Sequence, residues 1–318
     1  MIHHHQFKDG ALVPVDDPNA SIVVICNPTR EEKETILQDY GLDQATLDSI
    51  LDPDEISRTE IYDEYKLIIW KHADNASAAE TIEFNVSSLG ILIQGGKTVI
   101  IDLDNDPPQF ASRDFRGMAC QNDLILRLLL HTVRHYLSHL KAIKLLSNSL
   151  QNKLTGSMEN RYFLQMFSLG EALIYYRNSL ESNATVLAQL RGSAGRFGWT
   201  EAQREQLGDI IIENQQACKQ AEIYSDILSG LMDARGNILN NNMNALLKNL
   251  TLINIVFLPL NLIAGIGGMS EFTMMTGGMD WRISYSIFMV AMVVLGIITW
   301  RVLHEILVKP RKRKRRVR

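Results

Sequence analysis

The stretch Asn240–Ser270, NNNMNALLKNLTLINIVFLPLNLIAGIGGMS, decides the fold. Between Lys248 and Glu271 the 22 residues 249–270 carry no charge. At about 1.5 Å rise per residue, such a run crosses a hydrocarbon core of about 30 Å as a helix. Asn254 and Asn261 interrupt its apolar character, and Asn244 lies just before it. An amide without partners in hydrocarbon costs roughly 2 to 7 kcal/mol, so these side chains need water or one another.

Steps of three and four residues connect Asn244, Leu247, Thr251, Asn254, Leu258, Asn261, Gly265 and Gly268, which places polar and small side chains on one helical stripe. The opposite face, Leu252, Ile253, Ile255, Val256 and Ile263, is aliphatic and suits lipid or neighbouring helices. One helix cannot enclose a pore, so a pore requires several copies of the chain about an axis. The alternative is that the asparagines hydrogen-bond between packed helices without conduction.

LLKNLT at 246–251 after Asn244, FLPL at 257–260 and AGIGGMS at 264–270 together resemble the first transmembrane helix of CorA-type divalent-cation channels, which ends in Gly-Met-Asn. ILSGLMD at 227–233 is similar to that family's helix entering the membrane. Two positions depart from the pattern: Ser270 stands where the family has asparagine, and Gly267 replaces the usual aromatic before Gly268.

The 318 residues accommodate a large soluble part and a small membrane part. Net charge is −4, but 309–318 holds eight basic residues, so the remaining 24 Lys and Arg face 36 Asp and Glu, a balance of −12. An acidic soluble part disfavours nucleic acid and favours cations or a solvated surface. Cys26, Cys120 and Cys218 are widely spaced, which suggests neither a disulfide framework nor a cysteine zinc site and fits a reducing compartment. MIHHHQF lacks the apolar run of a secretory signal and reads as a loose terminus, with metal binding by its three histidines as the alternative.

From Ser21 onward short strands and helices alternate. SIVVICNPT reads as a buried strand, REEKETILQDYG as an amphipathic helix stopped by Gly41, and LDQATLDSILD as a second helix before Pro53. EYKLIIWKHA, TIEFNVSSLGILIQ and KTVIIDLD read as strands, the last two joined by a Gly95-Gly96 hairpin. This mixed α/β region, 1–118, resembles the CorA cytosolic domain in element order and in NPTREE followed by a Gly-Leu turn. No phosphate loop, nucleophile elbow or paired catalytic constellation occurs, so no enzyme is expected.

The region 119–248 reads as helical arms and a stalk. Two arms flank Thr155-Gly156-Ser157, and His131, His135 and His139 recur every four residues on the first. They are candidate ligands for an extra metal through imidazole nitrogen, and a charged solvent face is the plainer reading. Thr200 with Gln203 forms a capping box that starts the stalk helix, and no proline follows until Pro259. The stalk is therefore expected to run unbroken into transmembrane helix 1, 249–270.

The loop 271–282 carries Glu271, Asp280 and Arg282, a balance of −1. A second span, 283–303, is flanked by Trp281 and contains Trp300 near its other interface. The basic tail, 304–318, places the carboxyl end in the cytoplasm by the positive-inside rule and suits anionic lipid headgroups rather than nucleic acid. Two crossings bring the amino-terminal part to the same side. The expected fold class is an α+β cytosolic domain with a long stalk helix and two transmembrane helices, in the cell (inner) membrane with both termini cytoplasmic.

The resemblance implies a homopentamer that passes hydrated Mg2+, which gives up its water reluctantly. It places Gly268, Met269 and Ser270 at the outer mouth. Asn261, Leu258, Asn254, Leu250 and Leu247 then follow inward, the leucines forming a gate that closes by dewetting. Asn244, Thr251 and Gly265 complete the lining. No covalent cofactor is implied. Intracellular Mg2+ gates the family through acidic residues of adjacent subunits; Asp209 matches the stalk acid, with Asp74, Glu80 and Glu83 as candidate partners, and Asp233 concentrates cations at the inner mouth. A surface carboxylate is the plainer reading of Asp209. Transport of Zn2+, Co2+ or Ni2+, as in the related zinc branch, is the first alternative, and a non-conducting sensor or scaffold the second.

Overall fold

A computed structural model describes residues 1–74, 84–103, 108, 110, 112–156 and 160–307. Two compact units divide the chain, Met1–Met232 and Asp233–Arg318. The first holds β1 (Ile2–Lys8), β2 (Ala11–Pro14), β3 (Ile22–Cys26), α1 (Arg30–Tyr40), α2 (Gln44–Ile50), β4 (Arg58–Ile61), β5 (Tyr65–Ala73), β6 (Val86–Gln94) and β7 (Lys97–Asp102). The helices α3 (Gln121–Gly156) and α4 (Asn160–Gly192) follow, and α5 (Glu201–Gly267) begins here.

The seven strands form one sheet in the order β2-β1-β3-β7-β6-β5-β4, in which β3 and β7 are parallel and the other pairs antiparallel. Both faces are covered, which is why IVVIC of β3 is apolar throughout rather than alternating. Val23, Ile25, Leu67, Ile69, Leu92, Val99 and Ile101 meet Ile36, Leu47 and Ile50 of α1 and α2. The other face, with Ile22, Val24, Ile68, Trp70, Ile91 and Ile100, shares a core with α3, α4 and the start of α5.

Local chemistry places the elements where the sequence predicts them. The α1 cap is reciprocal, Thr29 accepting from the Glu32 N–H while Glu32 accepts from the Thr29 N–H at 2.8 Å, and Gly41 ends the helix in the left-handed region at φ 63°. Gly95 and Gly96, at φ 57° and 80°, turn β6 into β7 as a two-residue hairpin. Thr200 and Gln203 cap α5 in the same reciprocal manner, at 3.0 and 3.3 Å.

The histidine-rich terminus differs from its expectation. Residues 2–8 are not loose; they form β1, with His3, His4 and His5 paired to β3 and His5 also opposite Pro14 of β2. The free edge of β3 would otherwise present unpaired backbone groups, and pairing needs only main chain, so histidine does not prevent it. His5 is buried edge-on against Phe110, with ring centroids 5.1 Å apart.

Polar side chains tie the helices to the sheet. Buried Asn183 of α4 accepts from Ser57 Oγ at 2.9 Å and from the Lys71 N–H at 3.0 Å, and donates to the Lys71 carbonyl at 2.7 Å. Trp70 Nε1 donates to Thr132 Oγ1 of α3 at 2.8 Å. Cys26, Cys120 and Cys218 form no disulfide with one another.

The second unit contains the end of α5, α6 (Ser270–Met275) and α7 (Trp281–Leu307). Its α5 and α7 segments are long and apolar enough to cross a membrane. They pack antiparallel: Gly267 faces Phe288, and Gly296 faces Leu260. Leu252, Val256, Pro259, Leu260, Ile263 and Gly267 of α5 are half-buried, as are Ser284, Phe288, Met292, Leu295, Gly296 and Thr299 of α7.

Candidate functional site

The stripe lies on the face of α5 away from α7. At about 100° per residue, the half-buried positions Leu252, Val256, Ile263 and Gly267 centre nearly opposite Asn254, Leu258, Asn261 and Gly265. Asn244, Leu247, Leu250, Thr251, Asn254, Leu258, Asn261 and Gly265 are all exposed. Thr251 Oγ1 donates to the Leu247 carbonyl one turn back at 2.8 Å, leaving its lone pairs outward. The amides of Asn244, Asn254 and Asn261 have no hydrogen-bond partner among the described residues. In a helix of membrane-spanning composition this face requires water or further copies of the chain. Of the aliphatic positions, Leu252, Val256 and Ile263 pack towards α7, while Ile253 and Ile255 stay exposed.

Gly268, Met269 and Ser270 leave the end of α5 in a tight turn. The Gly268 N–H donates to the carbonyls of Ala264 and Gly265 at 3.1 and 3.2 Å, and the Met269 N–H to that of Ile266 at 3.1 Å. Ser270 starts α6, and its hydroxyl donates to Glu271 Oε2 at 3.2 Å. The serine oxygen is thereby turned into an acceptor, with a carboxylate beside it. Glu271 was legible as a loop charge but not as the partner of Ser270, a pairing set by the helical turn. Where the resemblance expects an aromatic, Gly267 leaves a space that the Phe288 ring occupies.

Asp209 is exposed on α5 and Asp233 is exposed further along it. Among the described residues no three His, Cys, Asp or Glu side chains are grouped to hold a metal. A divalent ion at Asp209 therefore needs carboxylates from another copy. Glu80 and Glu83 lie outside the described residues, and Oδ1 of Asp74 is buried with no hydrogen-bond partner among the described residues.

The histidine row of α3 is not a free solvent face: His139 is buried, and His131 and His135 are half-buried. His139 is buried and hydrogen-bonded to Tyr176 Oη of α4 at 2.7 Å, and His135 stands edge-on to it with centroids 4.3 Å apart. His131 Nδ1 lies 3.1 Å from Asp114 Oδ2, and Arg134 bridges Asp114 to Glu213 of α5. Asp114, 17 residues from His131 and 20 from Arg134, carried no sequence signal of the pairing.

Burial, then the neighbouring His139, His131 and His72, pushes His135 down to about 4, and burial also lowers His139. Both are neutral in the fold and bind protons more readily when unfolded. Their stabilisation is thus complete above about pH 6.5 and is lost as pH falls toward 4. The thermal midpoint of the Met1–Met232 unit in the full-length protein is expected to fall across that window, and His135→Gln to flatten the fall. An unchanged slope in the variant would remove His135 from the account.

The family described as CorA-like Mg2+ transporter protein matches residues 21–313. The chain is similar to the cobalt/magnesium transport protein CorA of Methanocaldococcus jannaschii, 24% identical over 280 residues, covering 83% of this chain and 86% of that one. Its fold is similar to the complete structure of the CorA magnesium transporter from that organism, with TM-score 0.72 and 20% identity over 95% of this chain and 96% of the other. The ZntB cytoplasmic domain from Vibrio parahaemolyticus superposes with TM-score 0.59 at 12% identity, over 75% of this chain and 98% of that domain.

Proposed function

This chain belongs to the CorA-like Mg2+ transporter family, membrane proteins that carry divalent cations and are not enzymes, and on that premise we propose a pore lined by α5. Several copies, five by resemblance, surround the axis with Asn244, Asn254 and Asn261 turned inward. The observation that carries this reading is that the amides of Asn254 and Asn261, on the face opposite α7, and of Asn244 nearby have no hydrogen-bond partner among the described residues. Water in a pore satisfies them, whereas lipid leaves each at a cost of roughly 2 to 7 kcal/mol.

Hydrated Mg2+ is the proposed substrate. Its waters donate protons, so amide oxygens, the Ser270 hydroxyl oxygen and backbone carbonyls of the Gly268-Met269-Ser270 turn are suitable acceptors. Leu247, Leu250 and Leu258 form apolar rings between them that close by dewetting. The mixed domain 1–118 and the arms and stalk 119–248 are assigned to the cytoplasm, with spans 249–270 and 283–303 joined outside by 271–282. The basic tail 304–318 is assigned to anionic headgroups; its cluster from Lys309 lies outside the described residues.

Zinc, cobalt or nickel as substrate is the second reading, because Ser270 supplies a shorter acceptor than the signature asparagine and so does not fix the choice of ion. Uptake of Mg2+, Zn2+, Co2+ and Ni2+ into proteoliposomes containing the full chain separates the two, and no uptake of any of them would overturn the pore. Ser270→Asn adds one hydrogen-bonding group per copy, about 0.5–1.5 kcal/mol net, and is expected to raise apparent Mg2+ affinity about three- to tenfold. It is also expected to sharpen Mg2+ over Zn2+. If neither quantity moves, the outer mouth does not select.

A further inference from the structure

The end of α5 is held from the side by one aromatic ring. A Cβ placed on Gly267 would lie 2.5 Å from Phe288 Cζ, 2.9 Å from Cε2 and 3.2 Å from Cε1, closer than side chains approach without something shifting. The ring fills the volume that a side chain at 267 would take. Phe288 is half-buried there, while its neighbours Ile287 and Met289 are exposed. The contact falls on the last residue of α5, immediately before the turn in which Gly268 and Met269 donate back to Ala264, Gly265 and Ile266. A second glycine between the same two helices, Gly296 beside Leu260, makes an ordinary contact: a Cβ at 296 would sit 3.7 Å from the nearest Leu260 carbon.

We propose that Phe288 is a positioning residue for the ion-selecting turn, bracing Gly267 so that Gly268, Met269 and Ser270 present their oxygens in one orientation. The proposal rests on the pore reading only for its effect on selectivity; the bracing itself is a property of the helix pair. Gly267 and Phe288 are a complementary pair in which one helix supplies the ring and the other must lack a side chain. A ring supplied from position 267, with a small residue at 288, should then do the same work.

The test uses full-length protein in lipid nanodiscs with Cys26, Cys120 and Cys218 replaced by serine and a nitroxide on Glu271→Cys, one residue past the turn. Gly267→Ala and Phe288→Ala are expected to increase label mobility, and Gly267→Phe with Phe288→Ala to return it to the starting value. Gly296→Ala, packing between the same helices, serves as the control and should leave mobility unchanged. In the same variants without the label, reconstituted in proteoliposomes, the Mg2+ over Zn2+ uptake ratio should fall severalfold in the two single variants and recover in the double one, with the oligomer's size constant. Unchanged mobility in Phe288→Ala overturns the proposal, and that variant adds no bulk that could prevent folding. If the parent protein fails to conduct, the pore reading fails while label mobility still decides the role of Phe288.

Discussion

Replacing Asn261 by leucine is expected to abolish divalent-cation flux while leaving the oligomer intact. Asn261 sits on the exposed face of α5, opposite the half-buried row that packs towards α7, so its amide supports no packing within the chain. In the proposed pore it faces a hydrated divalent ion, and a hydrogen bond to a charged group contributes about 1.5–3 kcal/mol. Losing even one such contact at the rate-limiting position slows passage about tenfold to a hundredfold, and the ring loses one from every copy. Leucine is also apolar, which extends the dewetting barrier set by Leu258. Asparagines that only join helices make the opposite prediction, since the oligomer would weaken first. Proteoliposome flux and the size of the purified complex, measured on one preparation, separate the two; full flux in an assembled Asn261→Leu protein ends the pore assignment.

The second large effect is expected at Asp209. It is exposed, and among the described residues of one chain no acidic group completes a metal site with it. A regulatory ion there would join carboxylates of neighbouring copies, offsetting their repulsion, and its loss would let the copies part. A ligand shifts such an equilibrium only by its preference for one state, and a swing from 1:99 to 99:1 needs about 5.5 kcal/mol. Five interfaces share that at about 1 kcal/mol each, within reach of weak sites. Asp209→Lys places a fixed positive charge where the ion would sit and is expected to keep flux low even at low internal Mg2+. Asp209→Ala removes the repulsion and the site together and is expected to blunt inhibition by internal Mg2+. Inhibition curves that coincide for all three proteins would make Asp209 a plain surface carboxylate.

What could be read directly were the features whose causes are local or one-dimensional. A bilayer imposes its thickness on a contiguous run, so 249–270 and the second apolar stretch stand out without any fold in hand. Caps and tight turns are short-range chemistry: Thr29 with Glu32, Thr200 with Gln203, and Gly95-Gly96 each declare themselves within four residues. The α5 stripe was legible because helical periodicity turns sequence spacing into angle, and the same periodicity placed Leu252, Val256 and Ile263 on the packed side.

The remaining features depend on which distant segments the topology brings together, and no local pattern encodes that. Histidines 3 to 5 became strand because β3 had an open edge, not because histidine favours strands. The histidine row of α3 is not a free solvent face because α4 delivers Tyr176 to His139 and the turn before α3 delivers Asp114 to His131. Asn183 meets Lys71 and Ser57 across more than a hundred residues, because a buried amide must find hydrogen-bond partners and the topology supplies the β5 backbone and the Ser57 hydroxyl. At the proposed outer mouth the sequence by itself determined the Gly-Met-Ser turn and its departure from the family. That the Phe288 ring fills the space beside Gly267 was decided only by the antiparallel packing of α5 on α7, because a missing side chain becomes a socket only when another helix arrives to fill it.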